Sequence, residues 1–341
     1  MRLGIDARSL LELHPSGVSV YTTQLLHALC TLPDRTDTIC LYTSGWNVPT
    51  ERIKPFLDYP QVEWHHLRVP NKLATMHLTP RIDRVLQSVD VLFVPNWNFL
   101  SVTKHCPVVL TVHDSSVALY PHLLSVKQRW WHRLIRPAAQ LRRATRSIAV
   151  SETTRRDCIA QFGLNPNTIT TIYSGPPTPV APVPVAHLPK DYLVVIGTGG
   201  GRKNIEFIQQ AALPLPVVVI GDTAGGYGYV SDGEKWYILQ HAQALLYVSL
   251  YEGFGFPPLE AWQVGVPVIA SAAGAIPEIC GQAAFYVNPY SSSDLGSAVG
   301  AVLSDHILRS QLITAGQERL KQFQWEKTAR QTLQVLRQAV Y

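Results

Sequence analysis

The sequence predicts an α/β protein built from two doubly wound domains, each a parallel sheet covered by helices. Three observations carry that prediction. Short β-branched runs alternate with helical patterns along the whole chain, the pattern of strands buried on both faces. The runs fall into two series, divided by the proline-rich stretch SGPPTPVAPVPVAHLPK at 174–190. The length of 341 residues, 46% hydrophobic and only 16% charged, lets each half bury its own core.

In chain order, the first series comprises RLGID (2–6), TICLYT (38–43), VDVLFVP (89–95), VVLTVHD (108–114) and SIAVS (147–151). The second comprises YLVVIG (192–197), PVVVIG (216–221), ALLYVS (244–249) and PVIAS (267–271). Six prolines make 174–190 an extended, semi-rigid connection. The expected domains are therefore 1–175 and 191–324, joined by a linker at 176–190. Doubly wound domains bind ligands outside the carboxyl ends of their strands, so a cleft between two such domains is the expected site. The tail 325–341 has Leu333, Val335, Leu336 and Val340 at helical spacing; spacing alone lets it pack on either domain.

A net charge of +5 suits an anionic ligand or surface and is too small to indicate nucleic acid. The five cysteines are scattered without a Cys-x-x-Cys or a histidine pair beside them. A reducing cytosol is expected, with no metal site. MRLGIDARSLLEL holds no apolar signal core, and nowhere do eighteen apolar residues run together. A cytoplasmic protein is expected, soluble or peripheral on the inner face of the membrane.

Four stretches bear on chemistry. In SLYEGFGFPPLEAW (249–262), a strand end leads through Gly253 and Gly255 to a helix opened by Pro257 and Pro258. The amides of Phe254, Gly255 and Phe256 then lie near a helix N-terminus, where anions bind. Glu252 and Glu260 flank the loop, and carboxylates accept protons from ligand hydroxyls. Capping or solvation would explain either glutamate alone; the glycine loop between them favours a site. In VVIGTGGGRKN (194–204), four glycines precede Arg202 and Lys203. A dinucleotide G-x-G-x-x-G needs glycine at 202, so the stretch reads as a cationic phosphate grip or as a solvated pair opening a surface helix. His113 and Asp114 end a strand in TVHDSS, where side chains reach ligands in such sheets, although a lone strand-end histidine is more often buried and satisfied. Gly17 turns the chain into a helix after the first strand.

Between Ser115 and Ser151 there is no acidic residue, while Lys127, Arg129, Arg133, Arg136, Arg142, Arg143 and Arg146 surround Trp130 and Trp131. The region 122–146 reads as a basic surface for anionic lipid, at about 1 kcal/mol per basic residue, or as a core-packed helix with solvated arginines.

Taken in order, GIDARSL…SGVSVYT, TVHDSSVALYP, IAVSETTRRD, TIYSG, GRKN, GYVSD and YEGFGFPPLEAWQVGVPVIAS, continuing through PEICGQAAFYVNPYSSSDL to QWEKTARQTL, resemble the family 4 (group 1) retaining glycosyltransferases. The resemblance covers nearly the whole chain, and its most specific motif is the pair of glutamates eight apart around Gly-Phe-Gly. It implies a GT-B fold, with 1–175 the acceptor-side domain and 191–324 a shortened nucleotide-sugar-binding domain, and transfer of a sugar from a GDP- or UDP-sugar, a substrate rather than a cofactor, to a glycan or lipid-linked acceptor. It implies catalytic roles for His113, Glu252, Arg202 and Lys203, with Glu252 facing the donor sugar and the two cations on its diphosphate. Donor contacts are implied for Gly17, Thr198, Phe254, Gly255, Phe256 and Glu260, the last on the ribose. The terminal helix is implied to return to the N-terminal domain. No Asp-x-Asp metal motif is present.

Three departures from the family stand out. Thr198 occupies a position where many relatives have arginine. Ser19 and Val20 stand where relatives often carry glycine and arginine. Most of a helix and strand that frame the base is missing between VVVIGDTAGGYG and YVSD, which leaves the base open. A nucleotide-sugar epimerase and a non-catalytic partner subunit are the rival readings, and the failed glycine pattern disfavours an NAD-dependent oxidoreductase.

Overall fold

The structure, a computed structural model, describes residues 1–12, 16–33, 36–46, 50–69, 80–197, 201–223 and 226–341. The chain forms two compact units. The first comprises Met1–Ser115, Val126–Gly175 and Gln324–Tyr341, and the second Ser116–Ser125 and Pro176–Phe323.

In the first unit the strands are β1 (Arg2–Asp6), β2 (Thr38–Ser44), β3 (Val62–Leu67), β4 (Val91–Val94), β5 (Val108–Val112), β6 (Arg146–Ala149) and β7 (Ile169–Thr171). They form one sheet in the order β3-β2-β1-β4-β5-β6-β7, parallel throughout. The chain winds outward from β1 to β3 and then restarts at β4 on the other side. The strand order thus reverses between β1 and β4, where doubly wound sheets leave a crevice. Every residue of β4 and β5 is buried. Their continuous apolar runs have this cause: both faces are covered.

The terminal helix Trp325–Val340 belongs to this unit and buries Ala329, Leu333, Val335, Leu336 and Ala339. The Trp325 ring meets Tyr21 of the helix Gly17–Thr31 at 5.8 Å. Thr328 Oγ1 donates to the Tyr173 carbonyl at 2.7 Å, and Arg337 pairs with Asp37 at 3.2 Å. The choice of partner that helical spacing leaves open is made by these contacts.

In the second unit β8 (Leu193–Ile196), β9 (Val217–Ile220), β10 (Ala244–Tyr247), β11 (Val268–Ser271) and β12 (Phe285–Val287) form a parallel sheet in the order β12-β11-β10-β8-β9. Its order reverses between β8 and β10, whose loops carry the two motifs richest in candidate residues. Ser116–Ser125 groups with this unit although the sequence places it within 1–175. Tyr120 meets Tyr251 at 5.1 Å, and Leu123 lies against Gly201.

Three strands went unread in the sequence. β3, VEWHHL, is half-buried throughout, and its alternation of apolar and polar residues stops at His66, while β7 and β12 have three residues each. After β9 the described residues up to Ser231 hold only one isolated bridge, Gly221 to Gly228. The next helix is Asp232–Gln240.

Candidate functional site

The second unit gathers most of the predicted site. β10 ends at Tyr247, and the chain then loops to the helix Phe256–Gln263. Gly255, at φ 114°, caps that helix in a conformation closed to other residues, and a Cβ there would lie 2.9 Å from the Tyr247 hydroxyl oxygen. Gly274, at φ 56°, lies flush against the Glu252 backbone, where a Cβ would sit 2.8 Å from the Glu252 nitrogen. The Glu252 carbonyl also accepts from the Ala275 amide at 2.8 Å. Backbone contacts therefore fix the glutamate before its side chain acts.

Its carboxylate is buried between two cations. Arg202 Nη1 lies 2.6 Å from Oε2 and Lys203 Nζ lies 2.6 Å from Oε1. Arg202 Nη1 also donates to the Tyr251 carbonyl at 2.9 Å, and the Arg202 carbonyl accepts from the Leu250 amide at 2.8 Å. Burial alone would raise the Glu252 carboxyl, but Arg202 and Lys203 outweigh burial and hold its pKa at about 2. Lys203 Nζ lies 5.1 Å from the centre of the Tyr247 ring. Burial first, and the neighbouring Glu252 second, push the Tyr247 hydroxyl well above the usual tyrosine value. Two cations against one carboxylate leave a net positive charge in a mostly desolvated setting.

Arg202 and Lys203 reach this place from a single turn, Gly201–Lys203, and Asn204 at φ 56° ends that turn. Asn204 Nδ2 donates to the Pro289 carbonyl at 2.7 Å, which anchors the start of the helix Ile205–Gln210. Thr198, the remaining predicted residue of this loop, lies outside the described residues.

Glu260 lies on the buried face of the helix Phe256–Gln263. Its Oε1 accepts from Lys235 Nζ at 2.8 Å. Burial would lower the Lys235 ammonium, but Glu260 outweighs burial and raises its pKa above the usual lysine value. Lys235 was missed in the sequence. A signal was available, since Ser231 and Glu234 form a capping box that starts the helix three residues before it; the box gives no reason to expect its ammonium on Glu260.

The expected amide cradle at Phe254–Phe256 is narrower than a helix N-terminus normally offers. Four amides are ordinarily left over at such an end, but Pro257 and Pro258 in the first turn carry none. The Phe254 ring is buried against Phe256 at 5.5 Å and Phe323 at 5.8 Å, so its side chain is a packing element.

His113 and Gly17 belong to the first unit. His113 follows β5, and its Nε2 donates to the Pro95 carbonyl at 2.8 Å, which leaves Nδ1 as the acceptor nitrogen. Its ring stands edge-on to Tyr21 at 4.8 Å, and burial lowers its pKa and favours the neutral form. Gly17 opens the helix Gly17–Thr31, capped by Ser16. The Ser16 amide donates to Ser19 Oγ at 2.8 Å and the Ser19 amide donates back to Ser16 Oγ at 3.3 Å. The departure at Ser19 thus completes a reciprocal cap.

Among the described residues one group could offer a metal three ligands: Cys40, Glu63 and His65, side by side across β2 and β3. Only strand pairing brings them together, and a linear reading misses it. Arg2 already grips both Glu63 oxygens, at 3.2 and 2.9 Å.

Residues 15–178 match the family model described as Glycosyltransferase Family 4, and residues 185–319 the model described as Glycosyl transferases group 1. The chain is 32% identical over 169 residues to the O-antigen chain mannosyltransferase B of Escherichia coli, covering 42% of this chain and 44% of that protein. It is 35% identical over 115 residues to the MMP alpha-(1->4)-mannosyltransferase of Mycolicibacterium hassiacum, covering 33% and 28%. These matches span less than half of either relative. The O-antigen chain mannosyltransferase RfbU of Salmonella typhimurium matches at 25% over 307 residues, covering 82% and 77%. Among solved structures, sucrose-phosphate synthase from Thermosynechococcus elongatus superposes with a TM-score of 0.74 at 20% identity, covering 99% and 98%. Anabaena HepE in complex with UDP and glucose gives 0.66 at 16%, covering 99% of each chain. At such identities the likeness shows the fold alone, the GT-B fold expected from the sequence.

Proposed function

The chain belongs to the group 1, family 4 glycosyltransferases, and we propose that it moves a sugar from a nucleoside-diphosphate donor to an acceptor hydroxyl with retention of configuration. The observation that carries this reading is the Arg202–Glu252–Lys203 cluster, with two cations sharing one buried carboxylate. In the transfer, the bond between the anomeric carbon and the leaving diphosphate breaks while the acceptor oxygen bonds to that carbon on the same face. The acceptor proton passes to the leaving phosphate oxygen. Negative charge grows on the diphosphate, and preorganised cations are the efficient way to meet it. Arg202 and Lys203 fill that role without a metal ion. Glu252, held ionised, orients the cations and accepts donor-sugar hydroxyls, and it is no obligatory nucleophile. Glu260 accepts the ribose hydroxyls with Lys235 holding one of its oxygens.

The relatives named as mannosyltransferases make a mannosyl donor the first to test, and the UDP and glucose in HepE make UDP-glucose the second. The acceptor is a glycan or a lipid-linked glycan, as in polysaccharide synthesis. Donor hydrolysis and transfer are measured with GDP-mannose, UDP-glucose and ADP-glucose, with and without EDTA. Turnover that is lost in Glu252→Ala and Lys203→Ala and indifferent to EDTA supports the reading. Full activity of both variants with every donor refutes it. Conversion of the donor into a different intact nucleotide sugar without any acceptor would instead mark an epimerase.

A second reading concerns location. The helix Val126–Ile135 exposes Val126 (62%), Trp130 (60%) and Leu134 (59%), four residues apart and so on one face. Lys127, Arg129 and Arg133 flank that stripe. We propose that it rests on an anionic bilayer as a peripheral contact; among the described residues no helix is long and apolar enough to cross one. Co-sedimentation with phosphatidylglycerol vesicles that is lost in Trp130→Glu supports this, and equal pelleting with neutral vesicles overturns it.

A further inference from the structure

The pairing of β2 with β3 assembles a set of metal ligands that no candidate donor residue shares. Cys40 stands directly opposite Glu63 in the register, and His65 follows Glu63 by two residues. Residues two apart on a strand share a face, so a thiol, a carboxylate and an imidazole converge on one side of the sheet. Cys40 Sγ lies 3.6 Å from Glu63 Oε2, and His65 Nε2 lies 3.5 Å from that same oxygen. The three ligand atoms all fall within 4.8 Å of one another.

These separations suit a shared ion better than they suit hydrogen bonds. An N–H···O bond spans about 2.7–3.2 Å, and His65 Nε2 is buried with no hydrogen-bond partner among the described residues. With zinc–sulfur at about 2.3 Å and zinc–nitrogen or zinc–oxygen at about 2.0–2.1 Å, neighbouring ligands of a tetrahedral ion stand about 3.3–3.6 Å apart. Both separations from Oε2 match that spacing. Glu63 is also held as a ligand carboxylate is held. Arg2 Nη1 lies 3.2 Å from Oε1 and Nη2 lies 2.9 Å from Oε2, while Nη2 also reaches the Leu86 carbonyl at 3.4 Å. When an ion takes Oε2, Nη2 turns to that carbonyl and Nη1 keeps Oε1, an outer hydrogen bond of the kind that orients a metal-bound carboxylate. The Arg2–Glu63 pair is partly exposed, with side chains at 34% and 44%, and such a pair contributes too little to bar an ion.

The donor types select the ion. A thiolate and an imidazole favour zinc-class ions over magnesium or calcium, which take oxygen ligands. Cys40 is fully buried, so the ion enters from the side of the partly exposed Glu63 carboxylate. On ligation the Sγ–H bond breaks as Sγ bonds to the ion, and the proton passes to solvent. Three protein ligands leave the fourth position to water. Cys40 and Glu63 lie near the amino ends of β2 and β3, opposite the ends at which doubly wound sheets bind substrates. The role that fits this place is mechanical. β3 is the end strand of its sheet and is half-buried throughout, so a bond across to β2 adds most where apolar packing holds least.

We propose that Cys40 Sγ, Glu63 Oε2 and His65 Nε2 bind one zinc-class divalent ion, which pins the end strand β3 to β2. No residue of the Arg202–Glu252–Lys203 cluster is a ligand, so the proposal stands apart from the glycosyltransferase reading and leaves its metal-free transfer unchanged. The test titrates cobalt(II) into the full chain, stripped with EDTA, freed of the chelator and kept reduced with a phosphine, and uses zinc as competitor. One equivalent of cobalt is expected to give thiolate-to-cobalt charge-transfer absorption with the strong visible bands of tetrahedral coordination, and one equivalent of zinc to abolish both. Cys40→Ser and His65→Ala are each expected to weaken cobalt binding at least about 100-fold, the upper range for losing a group that merely orients a ligand. His65 is only partly buried, so His65→Ala is expected to melt with the parent, and it decides alone if Cys40→Ser does not fold. Zinc is expected to slow hydrogen exchange of the β3 amides, 62–67, about 10-fold or more in the parent and to leave it unchanged in His65→Ala. Absence of the charge-transfer band overturns the site, as does binding within about 10-fold of the parent in either folded variant. Exchange of β3 that is indifferent to zinc in the parent overturns the pin, and displacement of cobalt by magnesium as readily as by zinc overturns the choice of ion.

Discussion

Replacing Glu252 by glutamine separates the two jobs assigned to it. The substitution keeps the shape and removes the charge that lies 2.6 Å from Arg202 and 2.6 Å from Lys203. A carboxyl moved from 4.5 to about 2 in the folded state corresponds, at about 1.4 kcal/mol per pH decade, to roughly 3 kcal/mol. The same size follows from breaking a buried pair, which costs about 3–5 kcal/mol because the partner charge stays buried. For a unit of this size that loss lowers the apparent Tm by about 6–12 °C. The sign with pH is fixed by the depressed pKa. The contribution is fully present above about 4.5, the value expected unfolded, and is lost as pH falls towards about 2. The stability gap between parent and variant is therefore expected to be widest at neutral pH and to close in acid.

Binding should move in the opposite direction. Without the carboxylate, Arg202 and Lys203 carry two uncompensated charges, and UDP or GDP is expected to stabilise Glu252→Gln more than it stabilises the parent. Turnover with a full donor is expected to fall, since the hydroxyl acceptor for the sugar is weakened. Scanning calorimetry with and without UDP or GDP, together with denaturant unfolding at several pH values, measures all of this. A variant that melts with the parent at pH 7 would show that Glu252 does not act by holding these two cations.

Lys203→Ala is expected to cost about 10²–10³ in transfer rate, the usual loss when one preorganised charge donor is removed; initial rates under saturating donor measure it. Glu260→Ala leaves Lys235 buried without its main partner, so donor KM should rise and stability fall by about 3–5 kcal/mol, whereas Glu260→Ala with Lys235→Met should recover part of the stability and none of the KM. Ser19→Ala removes half of the reciprocal cap on the helix Gly17–Thr31 and is expected to cost about 1 kcal/mol by urea unfolding. His113, whose pKa burial lowers, should destabilise the protein as pH falls below about 6.5, because the unfolded chain then binds a proton that the folded one refuses; His113→Asn should flatten that part of the stability profile.

Much of this could be read from the chain because burial on both faces writes itself as continuous apolar runs. All nine strands named from the sequence lie within one or two residues of their observed ends, and they are the buried ones. β3 escaped because every residue in it is half-buried and two are histidines. The candidate residues of the second unit were legible as types, since glycines and paired charges at strand ends have few structural uses. Their partnerships were not. Glu252 and the Arg202–Lys203 pair are 50 residues apart in sequence and meet only because β8 and β10 are neighbours. Lys235 on Glu260, and Cys40 beside Glu63 and His65, are likewise products of packing and register that no linear spacing encodes.

Those partnerships bear on how the loop at 249–258 can meet an anion. A helix start usually offers several amides at once. Here Pro257 and Pro258 remove two of them while fixing the backbone for the first turn. What the helix end lacks in donors is supplied by the neighbouring strand's loop, which brings Arg202 and Lys203 to the same carboxylate. Side-chain cations carry full charge where amides carry a fraction of one, but they are mobile unless something holds them. A buried glutamate at 2.6 Å from each does so, and its own desolvation is offset only while both cations remain. The three side chains are therefore one electrostatic unit, and substituting any one of them should alter the other two more than it alters the fold around them.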